Sequence, residues 1–156
     1  MLFGLIVAFV VVLSDQISKY FVLHHFLDVT PYVYVNDYFN IVKAWNTGVS
    51  FSMLNNYGNL GVWLLSGLAI AIVVALFFWL KSENNKLIQA SLGMIMGGAI
   101  GNVIDRLRFG AVFDFLDVHI ADSHWPAFNV ADSFICIGAG LIIIQALFGY
   151  FEKKGE

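Results

Sequence analysis

Charge is scarce in this chain: only 12% of its 156 residues are Asp, Glu, Lys or Arg, where an ordinary soluble domain carries about a quarter. With 60% hydrophobic residues and a mean hydropathy of +0.80, a soluble globular fold is excluded. There is one cysteine, Cys136, so no intramolecular disulfide and no Cys-rich zinc or redox motif can form. It lies in an apolar run and reads as a packed small hydrophobe. Lys and Arg form no cluster and the net charge is −3, which argues against nucleic acid as a partner. G-x-S-x-G and H-E-x-x-H are both missing, so the serine-hydrolase elbow and the zinc-protease helix drop out. His119 and His124 are five apart, a poor helical spacing for a metal site, and no metal is expected. No repeat, low-complexity tract or linker divides the sequence. One integral membrane unit over residues 1–156 is expected.

What the chain has is apolar length. Crossing the hydrocarbon takes about 20 mostly apolar residues, and four stretches qualify: about 2–27, 60–80, 87–106 and 133–151. The expected fold is a membrane all-α bundle of four transmembrane helices. A cleavable signal peptide is not expected, because the start is not basic and no A-x-A-like site precedes Asp15. Lys81, Lys86, Lys153 and Lys154 fall in the link after the second span and in the tail. The positive-inside rule makes those segments cytoplasmic, and an even number of spans puts both termini on that side. Segments of about 28–59 and 107–132 then face outward, and the aspartates avoid the cytoplasmic segments.

The first outer segment has its own pattern. Tyr32-Val33-Tyr34-Val35 and Phe39-Asn40-Ile41-Val42 flank Asn36-Asp37, two short strands around a turn. Asn46-Thr47-Gly48 adds a second turn signal. Tyr32, Tyr34, Tyr38 and Trp45 suit the water–lipid boundary. A small extracytoplasmic sheet resting on the outer leaflet is expected.

Ionisable residues inside a span are costly and mark the bundle interior. Asp15, Ser18 and Lys19 stand at i, i+3 and i+4 and share a helix face; the bland account is a neutralised pair that locks helices together. Asn102, Asp105 and Arg106 repeat the spacing near the outer end of the third span. Upstream, Gly93, Gly97 and Gly101 form a small-residue stripe for close helix packing. Asp132 opens the fourth span, where a carboxylate can simply cap backbone N–H groups. Asp114 among aromatics demands a partner or a proton. These charges also fit a small ion or proton transporter, which would place them near the midplane of several spans; here most acidic residues gather at one outer end. A structural assembly subunit is the third alternative.

Five blocks, in order, are Asp15-Gln16-Ile17-Ser18-Lys19, Asn46-Thr47-Gly48-Val49-Ser50-Phe51, Gly101-Asn102-Val103-Ile104-Asp105-Arg106, Val112-Phe113-Asp114-Phe115 and Phe128-Asn129-Val130-Ala131-Asp132-Ser133. With them the chain resembles the lipoprotein signal peptidases, the type II signal peptidases of bacteria. The resemblance implies an aspartyl protease with four transmembrane helices and a small β-cradle, multi-pass in the bacterial cytoplasmic (inner) membrane, with its active site near the outer leaflet. It puts the two catalytic aspartates on Asp114 and Asp132. Asn46, Gly48, Asn102, Arg106, Asn129, Asp15, Lys19 and Asp105 are implied as substrate-binding or site-supporting residues, with Ala131 also in the motif. Asp117 is not required by the pattern and reads as a loop charge. The basic N-terminal residues common in the family are missing here. The implied partner is a prolipoprotein whose lipobox cysteine already carries diacylglycerol, cut immediately before that cysteine, together with membrane lipids. No cofactor is implied, and a monomer is expected.

Overall fold

The computed structural model describes residues 1–26, 30–48 and 60–154. Leu27, the expected end of the first span, and Val49, Ser50 and Phe51 of the second motif block lie outside the described residues. Helix α1 covers Leu2–Phe21 and runs on as a π-helical turn, Val22–Phe26. Strands β1 (Tyr32–Asn36) and β2 (Phe39–Asn46) follow, then α2 (Leu60–Ser82) and α3 (Lys86–Phe109). Strands β3 (Val112–Ile120) and β4 (Ser123–His124) precede α4 (Val130–Lys154). All four helices are long and apolar enough to cross a membrane.

Helix α3 is the centre of the bundle and packs on each of the other three. Its glycines explain how. A Cβ on Gly97 would stand 2.5 Å from the Ala8 carbonyl oxygen of α1, and one on Gly98 2.5 Å from the Ala131 oxygen of α4. Gly93 likewise abuts the Gly4 backbone. Without side chains at these positions the backbones touch, and dispersion between them replaces contact with lipid. The apolar side chains of α2 point mostly outward, as Leu64, Leu68 and Phe78 do, because in lipid there is no penalty for exposing them. Cys136 is also on an outward face. It is therefore not the packed interior residue its apolar neighbours suggest.

A Gly97→Ala variant should melt at a lower temperature in detergent. The contact is with a backbone oxygen that cannot swing aside, and overpacking costs about 1–3 kcal/mol against a helix-propensity gain of about 1 kcal/mol. Gly67→Ala, whose Cβ would meet nothing within 4 Å, should not destabilise. Equal melting shifts for the two variants would contradict this packing.

Both ends of α3 are defined locally. Asn85 caps the start, its side chain accepting the Leu87 N–H at 2.8 Å. Gly110 ends it at φ 73°, donating its N–H to the Arg106 carbonyl. That left-handed conformation, natural for glycine, turns the chain straight into β3.

The sheet has four antiparallel strands in the order β1-β2-β3-β4. The expected pair around residues 36–38 is present, and β3 and β4 from the second outer segment extend it. Two cores result. One joins Ala8, Leu80, Leu92 and Met96 within the bundle. The other joins Val22, Phe113 and Phe115 where the sheet meets the helix ends. Lys86 lies over the Phe3 ring, so the start of α1 is at the same end of the bundle as the α2–α3 link. The sheet is at the opposite end.

Candidate active site

Asp15 and Lys19 lie one turn apart on the face of α1 that meets α3. The Lys19 ammonium is 2.8 Å from Asp15 Oδ2 and 2.8 Å from Asp105 Oδ2, and it donates to Asn102 Oδ1 at 3.3 Å. All four residues are buried. Gly101 leaves the space that the Asp15 carboxylate fills, 2.6 Å from where its Cβ would be. The remaining lone pairs are used for assembly. Asp15 Oδ1 accepts the Ala131 N–H of α4 at 3.0 Å, and Asp105 Oδ2 accepts the Phe113 N–H of β3 at 3.1 Å. One cation between two carboxylates thus fastens α1, α3, α4 and β3. Ser18 shares the face, but its hydroxyl donates back to the Asp15 carbonyl.

Spacing gives Gln16 no role, yet its amide donates to Asp15 Oδ2, Asp105 Oδ1 and the Gly101 carbonyl at 3.1, 3.1 and 3.3 Å. A primary amide inside an apolar span is the signal that could have found it.

Asn102 links this ion cluster to the outer carboxylates, donating to Asp132 Oδ1 at 2.7 Å. Asn129 holds both candidate catalytic residues. Its Nδ2 donates to Asp114 Oδ1 at 2.7 Å, and its Oδ1 accepts the Asp132 N–H at 3.0 Å. Asp132 Oδ2 in turn accepts the Asn129 N–H at 3.3 Å. This is a reciprocal capping box at the start of α4. The capping account of Asp132 is therefore correct as far as it goes, and it leaves Oδ1 directed to Asn102.

Asp114 comes from the middle of β3, opposite Ala44 of β2, and is only 2% exposed. Burial raises its pKa to about 6, and the charge of Asp132 pushes the same way. The Asn46 and Asn129 amides and the Lys19 charge oppose the shift without cancelling it. Arg106 is within electrostatic reach of Asp105, Asp114 and Asp132. Its Nε is buried and meets no partner among the described residues.

Asn46 ends β2 and accepts the Gly48 N–H on its side chain at 2.8 Å, a local Asx turn. Gly48 has φ 75°, and a Cβ there would run into Leu65 and stand 3.5 Å from Arg106 Nη2. The structure thus brings Asn46, Gly48 and Arg106 to the same side as Asp114 and Asp132. Asp117 differs from expectation. It is a buried strand residue rather than a loop charge, accepting from Asn40 Nδ2 at 3.0 Å and bonded to His124.

Residues 7–148 match the family model described as signal peptidase (SPase) II. A lipoprotein signal peptidase of Shewanella pealeana is 41% identical over 96% of this chain and 89% of that protein. One of Ralstonia nicotianae is 45% identical over 87% of this chain and 79% of that protein. Among solved structures, a bacterial membrane enzyme determined at 2.3 Å superposes with a TM-score of 0.80 at 29% identity, covering 98% of this chain and 92% of that one. A second, at 1.9 Å, gives 0.79 at 30% identity, covering 92% of each.

Proposed function

Because this chain belongs to the signal peptidase II family, we propose that Asp114 and Asp132 form its catalytic pair and cut the substrate immediately before a lipid-modified cysteine. The chain is an aspartic endopeptidase of bacterial membranes that removes signal peptides from prolipoproteins. The observation that carries the site assignment is Asn129, one buried side chain bonded to the carboxylate of Asp114 and to the backbone of Asp132.

Burial and the charge of Asp132 both favour a protonated Asp114, and in this reading the pair works with one proton between its two carboxylates. The ionised partner takes a proton from water as that water attacks the scissile carbonyl. The protonated partner donates to the carbonyl oxygen, giving a gem-diol; the C–N bond then breaks as the proton taken from water goes to the leaving amine and a gem-diol hydroxyl returns a proton to the donor. Arg106, whose Nε is buried and meets no partner among the described residues, is placed to donate to a substrate backbone carbonyl. Asn46 and Gly48 shape the opposite wall. Lys19, Asp15, Asp105 and Asn102 act behind the pair by fixing where Asp132 stands.

The orientation follows from charge. The end holding Lys81 and Lys86 is cytoplasmic by the positive-inside rule, which sets the pair at the outer leaflet.

Loss of the shared proton should limit the free enzyme at alkaline pH. With Asp114 pushed up to about 6, kcat/KM should fall as pH rises beyond that value. A kcat/KM that stays flat from acid through pH ~8 would contradict a shared proton held by this pair.

The lipid is expected to act by position. Each buried methylene is worth about 0.8 kcal/mol from water, but acyl chains already in hydrocarbon gain little of that. Fixing the scissile bond at the depth of the carboxylates lowers the barrier instead. The test compares one lipobox peptide with and without its diacylglyceryl group, both held at the membrane by an unrelated hydrophobic segment. The lipidated peptide should be cut much faster, and equal rates would reduce the lipid to an anchor.

A further inference from the structure

A cavity of about 320 Å3 opens on the outward side of α4, walled by residues 125–128 and floored by Asp132, Ser133 and Cys136. Resting on the peptidase reading above, we propose that it seats one acyl chain of the diacylglyceryl group on the substrate's cysteine, and that this contact holds the scissile bond at Asp132.

The wall is pre-formed. Trp125 donates its N–H to the Val118 carbonyl at 2.8 Å, and Phe128 donates to the Leu116 carbonyl at 3.1 Å. The Phe128 carbonyl accepts the N–H groups of Phe115 and Leu116 at 3.0 and 2.8 Å. Residues 125–128 are thereby fixed to the strand that carries Asp114. The lining is apolar apart from Asp132 and Ser133, and both are already bonded. Asp132 accepts from the Asn102 amide and the Asn129 N–H, and the Ser133 hydroxyl turns back to the Asn129 carbonyl at 3.0 Å. Pro126 has no N–H to offer. A polar occupant would lose its water here without gaining partners; a hydrocarbon chain loses nothing.

Shape selects an acyl chain over the helix of the signal peptide. A helix with its side chains is about 10–12 Å across, whereas this cavity is at the low end of the ~300–1,000 Å3 of small-molecule sites. The cavity also points the right way. Asp132 and Cys136 are one turn apart on α4, and Gly140 follows at the same spacing. A Cβ on Gly140 would meet nothing within 4 Å. This face leads roughly 12 Å from the carboxylate into the hydrocarbon, along the side on which Cys136 is exposed. The lipid is carried by the residue that follows the scissile bond, so a chain seated here begins close to the carbonyl under attack.

The test is photolabelling. A diacylglyceryl-modified lipobox peptide with a diazirine midway along its acyl chains is bound to Asp114→Asn in detergent micelles and irradiated, and the cross-linked residues are mapped by mass spectrometry. Labels should fall on Trp125, Phe128 and Cys136 and be displaced by the same peptide without the diazirine. In a second measurement, Cys136→Trp fills the cavity from its outward face. Its kcat/KM should fall by about 10-fold or more on the lipidated peptide. Its cleavage of a non-lipidated peptide, held at the membrane by an unrelated hydrophobic segment, should be unchanged. Leu68→Trp, on the outward face of α2, should match the wild type on both. Displaceable labels confined to other surfaces would overturn the seat while leaving the assignment of Asp114 and Asp132 standing. So would a folded Cys136→Trp that keeps the wild-type rate on the lipidated peptide, or that loses both activities equally. A wild-type chain that cuts neither peptide would overturn the peptidase reading and the seat together.

Discussion

Asp114→Asn should give a folded protein that no longer cuts, and Asp132→Asn should do the same. Asparagine keeps the size of the side chain and one acceptor oxygen, for the Asn129 amide at position 114 and for the Asn129 N–H of the cap at position 132, so the cap and the sheet register survive while the Asn102 contact to position 132 is lost. What it removes is the ionisable group. General acid–base catalysis contributes about 10²–10⁴-fold, so each variant should lose about 3–5 kcal/mol of transition-state stabilisation. Retention of more than about a tenth of the wild-type rate, a loss of only ~1.4 kcal/mol, would remove that residue from the pair.

The same substitution has an opposite effect on stability. The folded-state pKa of Asp114 is raised to about 6 from 3.8, so the native state is penalised once the group ionises. Wild-type stability from this group is full below pH 3.8, falls as pH rises toward about 6 and stays reduced above it. Asp114→Asn is free of that term. It should melt at a higher temperature than wild type at pH ~7.5, and the difference should vanish under acid conditions. An inactive variant that melts lower at neutral pH would mean the carboxylate is structural.

The second large effect is expected at Lys19. In Lys19→Met the carboxylates of Asp15 and Asp105 remain buried with no cation between them. Breaking a buried pair from one side costs about 3–5 kcal/mol, because an uncompensated charge is left behind. Asn102 also loses a donor, and with it the fixed position of Asp132, so activity should fall alongside the melting temperature in detergent. Neutralising the whole cluster, Asp15→Asn with Lys19→Met and Asp105→Asn, should recover much of the stability, since an unpaired charge costs more than a lost ion pair contributes. Asp15→Asn alone should lower melting at least as clearly as it lowers the rate. Wild-type melting of Lys19→Met would show that the cluster does not hold the helices.

What could be read from the sequence was whatever repeats with the period of one element. The apolar lengths marked the helices, and the four-residue glycine spacing marked the α1-facing side of α3. Asp15 and Lys19 were legible as one face, but their partner Asp105 lies on another helix and no periodicity links them. Helix α3 runs to Phe109, past the expected end near residue 106, because Gly110 rather than the loss of hydropathy stops it. Strand β3 was hidden for a different reason. Its two aspartates interrupt an otherwise apolar run and suggest a loop, yet both are buried and bonded, Asp114 to Asn129 and Asp117 to Asn40. Buried polar residues on a strand are what a functional sheet needs and what hydropathy misreads.

The most direct test of the central assignment is to identify the bond cut. A diacylglyceryl-modified lipobox peptide is incubated with the purified wild-type chain and with Asp114→Asn in detergent micelles, and the products are weighed by mass spectrometry. The account predicts a single cut by the wild type, immediately before the lipidated cysteine, and no product from the variant. Cleavage at another bond, or the same product from Asp114→Asn, would contradict it.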